Sequence, residues 1–214
     1  MPLYNEASVI GSVVAAARET FPNVVCVDDG SSDGSAEAAR RAGARVVRHP
    51  INLGQGAALQ TGIDYALGDP NCHYLVTFDA DGQHRVEDAL AMVKRLDTES
   101  YDVVLGSRFL DGRTEMSALR RIVLRAAVRF ERYSTGVALT DAHNGLRAFT
   151  RSAAERIRIT QNRMAHASEI VGEIGKKGLR YTEQPVQVLY TDYSKSKGQS
   201  LWNSINILSE LFLK

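Results

Sequence analysis

Long apolar runs are missing from this 214-residue chain. No stretch approaches the roughly 18 residues needed to span a bilayer, and the opening residues lead one to expect no secretory leader. Cysteine is scarce: Cys26 and Cys72 lie far apart and form no CxxC, which excludes a disulfide framework and a zinc-finger pattern. Cys26 sits in an apolar run and is expected to pack as a small buried hydrophobe in a reducing, cytoplasmic setting. Charge of one sign is also lacking, since 26 basic residues face 25 acidic ones. No global field therefore recommends nucleic acid as a partner. Internal repeats and low-complexity segments are absent. So is a dinucleotide fingerprint: Gly54-x-Gly56 has Leu59 at the third glycine position, and no acidic residue follows on a next strand. A glycine-rich phosphate loop is missing from the opening Pro2 to Ser8, which disfavours a nucleotidyltransferase.

What is present is alternation. Val24-Val25-Cys26-Val27, Arg45 to Arg48, Tyr74 to Phe78 and Val103 to Leu105 have strand composition. Helical spacing covers 7–21, 35–42, 57–67 and 86–96, with Ser32 or Asp33 as a cap for the second of these. The expectation is an α/β chain with a mostly parallel, doubly wound sheet. The polar Met1-Pro2-Leu3-Tyr4-Asn5-Glu6 stands where a strand would lead in, so the first strand is expected to be missing. Beyond Arg108 the spacing predicts a helix over 116–134, a loop from Asp141 to Arg147 leading into a short strand, and a helix over 165–177. A strand is expected where Val186, Val188 and Tyr190 alternate, with Pro185 marking a sheet edge. One domain over 1–200 followed by an amphipathic helix over 201–214 is the expected organisation.

The polar loops carry the chemistry. Asp79-Ala80-Asp81-Gly82-Gln83-His84 follows a strand at the point where open α/β sheets bind ligands. Two readings stand at this stage: a solvated Asp-Gly turn, or a site in which Asp79, Asp81 and Gln83 offer oxygens to Mg²⁺ or Mn²⁺ and leave positions for phosphates. Asp28 and Asp29 end the strand at 24–27, where they suit hydrogen bonds from a base or ribose. Arg121, Arg125, Arg129 and Arg132 form a stripe that reads either as a solvated face or as a surface for anionic lipid or a phosphorylated acceptor. The 201–214 helix reads as a docked cover or as an interfacial helix with Trp202 at headgroup depth.

Taken in order, Pro2-x-Tyr4-Asn5-Glu6, Asp28-Asp29-Gly30-Ser31-x-Asp33-Gly34-Ser35, Asn52-Leu53-Gly54-Gln55-Gly56-Ala57-Ala58, Asp79-x-Asp81-Gly82-Gln83-His84 and Gly106-Ser107-Arg108 resemble family 2 glycosyltransferases. The resemblance covers about residues 2 to 200 and is closest to the polyprenyl- and dolichyl-phosphate sugar synthase branch. It implies a GT-A, Rossmann-like three-layer sandwich. It also implies a metal-dependent, inverting transfer from a UDP- or GDP-sugar to a polyprenyl phosphate or a cell-surface glycan precursor. By the same resemblance Pro2, Tyr4 and Glu6 line the nucleoside pocket with Asp28, Asp29 contacts the base, and Gly56 belongs to the donor site. Asp79, Asp81 and Gln83 hold Mg²⁺ or Mn²⁺ with the diphosphate. Lys195, Lys197 and Gly198 match a segment that closes on it. Arg108 and Arg147 match arginines that face an acceptor phosphate, and Glu169 stands where an acidic catalytic residue is kept.

A hydroxyl acceptor needs a general base, with Glu169 first and Asp141 second. A phosphate acceptor is already anionic and depends on Arg108 and Arg147 instead. Gln55 departs from the family's usual lysine and removes a positive charge beside the diphosphate. The competing expectation is a non-catalytic subunit that binds a nucleotide sugar or scaffolds a membrane assembly. For an enzyme of this kind the expected place is the cytoplasm or the inner face of the cell membrane, with peripheral contact through 116–134 and 201–214.

Overall fold

Strands and helices alternate as far as residue 107 in the computed structural model, which describes residues 1–110, 135–141 and 144–189. In order they are β1 (Pro2–Leu3), α1 (Ile10–Thr20), β2 (Val25–Asp28), α2 (Ser35–Arg41), β3 (Arg45–Arg48), α3 (Gln55–Leu67), β4 (Tyr74–Thr77), α4 (Val86–Thr98) and β5 (Val103–Ser107). Later in the chain come β6 (Arg147–Thr150), α5 (Arg151–Arg156), α6 (His166–Lys176) and β7 (Tyr181–Pro185). The helix expected over 116–134 and the one over 201–214 lie outside the described residues.

β1, β2 and β3 form a parallel sheet in that order, with Val27 between Pro2 and Val47. A second sheet has the order β4, β6, β5, β7; β5 and β7 are parallel, while β6 runs against β4 and β5. All five residues of β5 are buried, as its continuous apolar run requires of a strand covered on both faces. On one side α1 buries Ile10, Val14 and Ala17, and α4 buries Ala89, Met92 and Leu96, each a stripe at helical spacing. On the other side α3, α5 and α6 share a core built on Leu59, Ile63, Ile170 and Ile174. The result is a three-layer α/β/α sandwich with the β2, β4 and β5 ends along one rim.

Four points differ from expectation. The first strand is present, although only two residues long: Pro2–Leu3 pairs with β2. The last strand stops at Pro185 instead of running through the Val186 to Tyr190 alternation, because its ladder partner β5 ends at Ser107, opposite Pro185. It is the edge that Pro185 suggested. A short α5 was not foreseen; Thr150 caps it by accepting from the Ala153 amide at 3.2 Å. The second helix takes Gly34 as its N-cap, while Asp33 binds the Ser35 amide at 3.0 Å and the Ala7 amide at 3.0 Å. Cys26 is buried as expected, and both cysteines are free.

Arg151 joins the layers. Its guanidinium donates to the carbonyls of Leu67 at 2.8 Å and Asp69 at 2.7 Å and to Glu155 at 2.7 Å, so it satisfies the open end of α3. Arg151→Met should lose about 2 kcal/mol of stability in urea unfolding, the scale of charged hydrogen bonds removed from partly buried partners, with ligand binding at the β4 rim unchanged.

Candidate active site

Each acidic loop on the rim is fixed by its own surroundings. Asp28 is fully buried; its carboxylate accepts from the Ser31 amide at 3.0 Å and pairs with Arg48 at 3.1 Å. Asp29 accepts from His49 Nδ1 at 2.7 Å and from the Leu53 and Gly54 amides at 2.9 and 2.8 Å. His49 in turn reaches Thr61 at 3.0 Å, so Asp29 and His49 together seat the start of α3. The Tyr4-Asn5-Glu6 turn is laced to the next loop. Ser31 accepts the Asn5 amide at 2.9 Å, Asn5 accepts the Ser32 amide at 3.0 Å, and Ser35 accepts the Glu6 amide at 2.7 Å. Tyr4 is exposed, Pro2 is buried in β1, and Glu6 caps α1 through its carbonyl.

Asp79 is the meeting point. His84 Nε2 donates to its Oδ2 at 2.9 Å and Gln55 Nε2 approaches its Oδ1 at 3.4 Å. His84 is itself held edge-on against Phe78, 5.4 Å between ring centres. Gly145 lies directly beneath: a Cβ built there would stand 2.2 Å from Asp79 Oδ2. Thr77 fixes that approach by donating to the Gly145 carbonyl at 2.7 Å. Burial opposes the charge on Asp79, but the His84 hydrogen bond and the charges of His84 and Arg147 outweigh it and hold the carboxyl below its usual range. Asp81 behaves in the opposite sense. Burial first, and then the neighbouring charge of Asp79, push its carboxyl up.

The far side of the rim is basic. Arg108 donates from Nε and Nη2 to the two oxygens of Asp141 at 2.6 and 2.8 Å, a bidentate fork that uses two of five donors. Asp141 is anchored from below, since Glu183 accepts its amide at 3.2 Å and the Thr140 amide at 2.9 Å. Arg147 is 2 % exposed, and its charge acts on Asp79.

With this arrangement in view, the comparisons decide the family. The profile described as glycosyl transferase family 2 matches residues 1–158. The chain is a family 2 glycosyltransferase. It is 37% identical over 221 residues to the uncharacterized protein MJ1222 of Methanocaldococcus jannaschii, covering 100% of this chain and 90% of that one. It is 33% identical over 189 residues to a dolichyl-phosphate hexose transferase of Haloferax volcanii, covering 87% of this chain and 79% of that one. Its similarity thus points to the polyprenyl-phosphate sugar synthase-like branch. Among solved structures it resembles glucosyl-3-phosphoglycerate synthase from Mycobacterium tuberculosis in complex with Mn²⁺ and UDP-glucose. The TM-score is 0.71 at 20% identity, over 98% of this chain and 75% of that one, which shows a shared GT-A fold.

In the glycosyltransferase, Glu169 lies on α6 and its carboxylate accepts from the Thr160 and Gln161 amides at 2.9 and 2.8 Å and from the Thr160 hydroxyl. It thereby fixes the 160–162 turn against the start of α3. Contact there is close enough that a Cβ on Gly56 would meet the Gln161 carbonyl at 2.0 Å, and one on Gly54 the Asn162 carbonyl at 2.2 Å. Gly54 also holds φ of +104°, open to glycine alone at little strain. The structure thus links Asp29, Gln55, Asp79, Gly145, Asp141 and Arg108 along one rim and sets Glu169 behind the α3 start. Lys195, Lys197 and Gly198 lie outside the described residues.

Sequence reasoning gave no role to His84, His49, His166 or Glu183. His84 was legible from its place five residues after Asp79. The others carry no periodic signal, because their partners are distant in sequence. His166 is buried, donates from Nδ1 to the Arg163 carbonyl at 2.7 Å, and is shifted by burial towards its neutral form.

Among the described residues no group of three or more His, Cys, Asp or Glu is placed as a metal cluster. The donor set nevertheless fits a hard divalent ion. Asp79 and Asp81 offer carboxylate oxygens on one turn, Asp81 has a like-charged neighbour, and the Gln83 backbone amide holds Asp81 Oδ1 at 3.0 Å. Asp81→Asn should raise the Tm of the metal-free protein by roughly 2 °C, as the repulsion is relieved, and should abolish the Tm rise given by Mn²⁺ with a nucleoside diphosphate. Gly145→Ala should weaken Mn²⁺ binding about 10-fold or more in calorimetric titration while leaving the circular dichroism spectrum unchanged.

Proposed function

We propose that this transferase moves a sugar, with inversion, from a UDP- or GDP-sugar to a polyprenyl or dolichyl phosphate at a membrane surface. The observation that carries the reading is the division of the rim. A crowded acidic pair, Asp79 and Asp81, lies on the donor side. On the acceptor side the carboxylates of Asp141, Glu183 and Glu169 each already accept two or more hydrogen bonds from the protein. Carboxylates occupied in this way position loops and arginines. They are poor candidates for taking a proton from a hydroxyl. A phosphate monoester needs no such base and is held by arginines.

The roles follow. Asp79, Asp81 and the Gln83 amide would hold Mg²⁺ or Mn²⁺, which supplies Lewis-acid stabilisation of the charge on a departing nucleoside diphosphate. Asp29 and the Asn5 turn fix the walls against which Pro2, Tyr4 and Glu6 receive the nucleoside. Gly54 and Gly56 let the α3 backbone approach the diphosphate, and its N-terminal end favours the anion. Arg108, its plane set by Asp141, and Arg147 orient the acceptor phosphate for in-line attack on the anomeric carbon. Lys195 and Lys197 close on the diphosphate, and contact with the membrane runs through 116–134 and 201–214. No helix among the described residues is long and apolar enough to cross a membrane; the reading places the enzyme at the inner face of the cell membrane.

Transfer of radiolabelled sugar from UDP- and GDP-sugars to a short polyprenyl phosphate in detergent tests this. Arg108→Gln should lose about two orders of magnitude in kcat/KM with nucleotide affinity kept, the scale of a lost charged contact in a buried site. Glu169→Gln should retain turnover within about tenfold, since no proton must be removed. Loss of two orders by Glu169→Gln, with transfer only to a hydroxyl acceptor, would restore Glu169 as the base and refute the phosphate acceptor.

A further inference from the structure

Residues 137–141, which deliver Asp141 to the rim, are tied to the edge strand β7 by its side chains. Val137 and Leu139 are buried in the core. The alternate residues turn their amides to β7: Ala138 donates to the Tyr181 hydroxyl at 2.9 Å and Thr140 to the Glu183 carboxylate at 2.9 Å. Tyr181 and Glu183 stand two apart on one strand and so share a face.

Glu183 carries most of this attachment. Its Oε1 accepts from the Thr140 amide at 2.9 Å, the Thr140 hydroxyl at 2.9 Å and the Asp141 amide at 3.2 Å, and its Oε2 shares the Thr140 amide at 2.9 Å. Two successive backbone amides converging on one oxygen form a small anion nest, filled here by a side chain of the protein itself. Burial, the largest influence, pushes the Glu183 carboxyl up, and these donors act against it. The backbone beneath is fixed as well: Glu183 stands opposite Leu105 in the β5–β7 register, and Arg95 Nη1 donates to its carbonyl at 2.9 Å.

From that carboxylate two lines of hydrogen bonds run to Arg108. One passes through Asp141, which accepts from Arg108 Nε and Nη2 at 2.6 and 2.8 Å and from the Arg108 amide at 3.1 Å. The other passes through hydroxyls. Thr140 Oγ1 lies 2.6 Å from Ser107 Oγ, which accepts the Phe109 amide at 3.2 Å. The ends fix its direction, because an amide N–H only donates and a carboxylate only accepts. Ser107 therefore donates to Thr140, and Thr140 donates to Glu183. Since residues 107 and 109 flank Arg108, this line holds the backbone there while the Asp141 line holds the guanidinium plane.

We infer that Glu183 is a positioning residue for Arg108: its carboxylate orders both lines and through them aims the guanidinium at the acceptor. Every group it meets here is a donor, so an amide of the same shape would set its own N–H groups against them. What Arg108 receives rests on the phosphate-acceptor reading; how Arg108 is held does not.

The test uses Thr140→Val, which removes the hydroxyl and keeps the shape, Thr140→Ser, which restores it, and Glu183→Gln. With a short polyprenyl phosphate varied, Thr140→Val should lose about tenfold and Glu183→Gln about thirtyfold in kcat/KM, with the KM for nucleotide sugar within about twofold, and Thr140→Ser should recover the loss. In an Arg108→Gln background Thr140→Val should cost no more than about twofold, because residues acting through one group are not additive. Unchanged acceptor kinetics in Thr140→Val and Glu183→Gln would overturn the inference, as would losses that persist in full without Arg108. A second readout needs no substrate: the Arg108 Nε–H signal in ¹⁵N NMR, identified by its disappearance in Arg108→Gln. Its hydrogen exchange should be about tenfold faster or more in Thr140→Val than in the wild type or Thr140→Ser. If the wild type transfers to hydroxyl acceptors alone, the phosphate reading fails, and this exchange still decides the role of Glu183: equal rates in the three proteins would refute it.

Discussion

The contact between the Asp79 carboxylate and the backbone of Gly145 is the constraint on which the site depends. The carboxylate lies where any side chain at 145 would stand. It can be there because β6 returns antiparallel beside β4 and brings Gly145 under the end of that strand, where Thr77 fastens it. His84 then holds the carboxylate from the side, and Gln55 reaches it from α3. One group thus joins the loops of the first sheet, which carry Asp28, Asp29 and the α3 start, to those of the second, which carry Arg108, Asp141 and Arg147.

The carboxylates of the rim fall into two physical kinds. Asp29, Asp141, Glu169 and Glu183 are met by two or more donors of the chain itself, so their charges are spent on fixing loops. Asp79 and Asp81 are different: they share one turn, partly removed from water, and burial first and then the charge of Asp79 push the Asp81 carboxyl up. A like-charged pair of this sort is unfavourable by itself and becomes favourable when a cation and its bound phosphates are supplied. Asp79 too accepts from His84 and Gln55, so what sets the pair apart is the repulsion between its members.

Much of this was legible in the sequence, and the reason is local. β2, β4 and β5 are continuous apolar runs followed at once by acidic or basic loops, and such runs have few alternatives to a strand buried on both faces. Helices α1, α3 and α4 show their stripes within one window and were placed within three residues at each end. What was hidden rests on long-range pairing. Nothing around Arg147 to Thr150 announces that this strand runs antiparallel. The end of β7 is set by β5, some eighty residues away, against the local alternation of Val186 and Val188. Asp29 and Glu169 looked free to meet a ligand because their donors, Leu53, Gly54, Thr160 and Gln161, are backbone amides of other loops. Gly145 shows in the sequence only as one position of the loop from Asp141 to Arg147, and its place beneath Asp79 appears only in three dimensions.

The central claim is that Asp79 and Asp81 share one divalent ion with a nucleoside diphosphate. Diffraction collected at the manganese absorption edge, from crystals grown with MnCl₂ and either UDP or GDP, measures this directly. The account predicts one strong anomalous peak within about 2.3 Å of a carboxylate oxygen of Asp79 or Asp81 and in contact with the diphosphate. A diphosphate bound with no peak beside either aspartate, or a peak held by other residues, would contradict it.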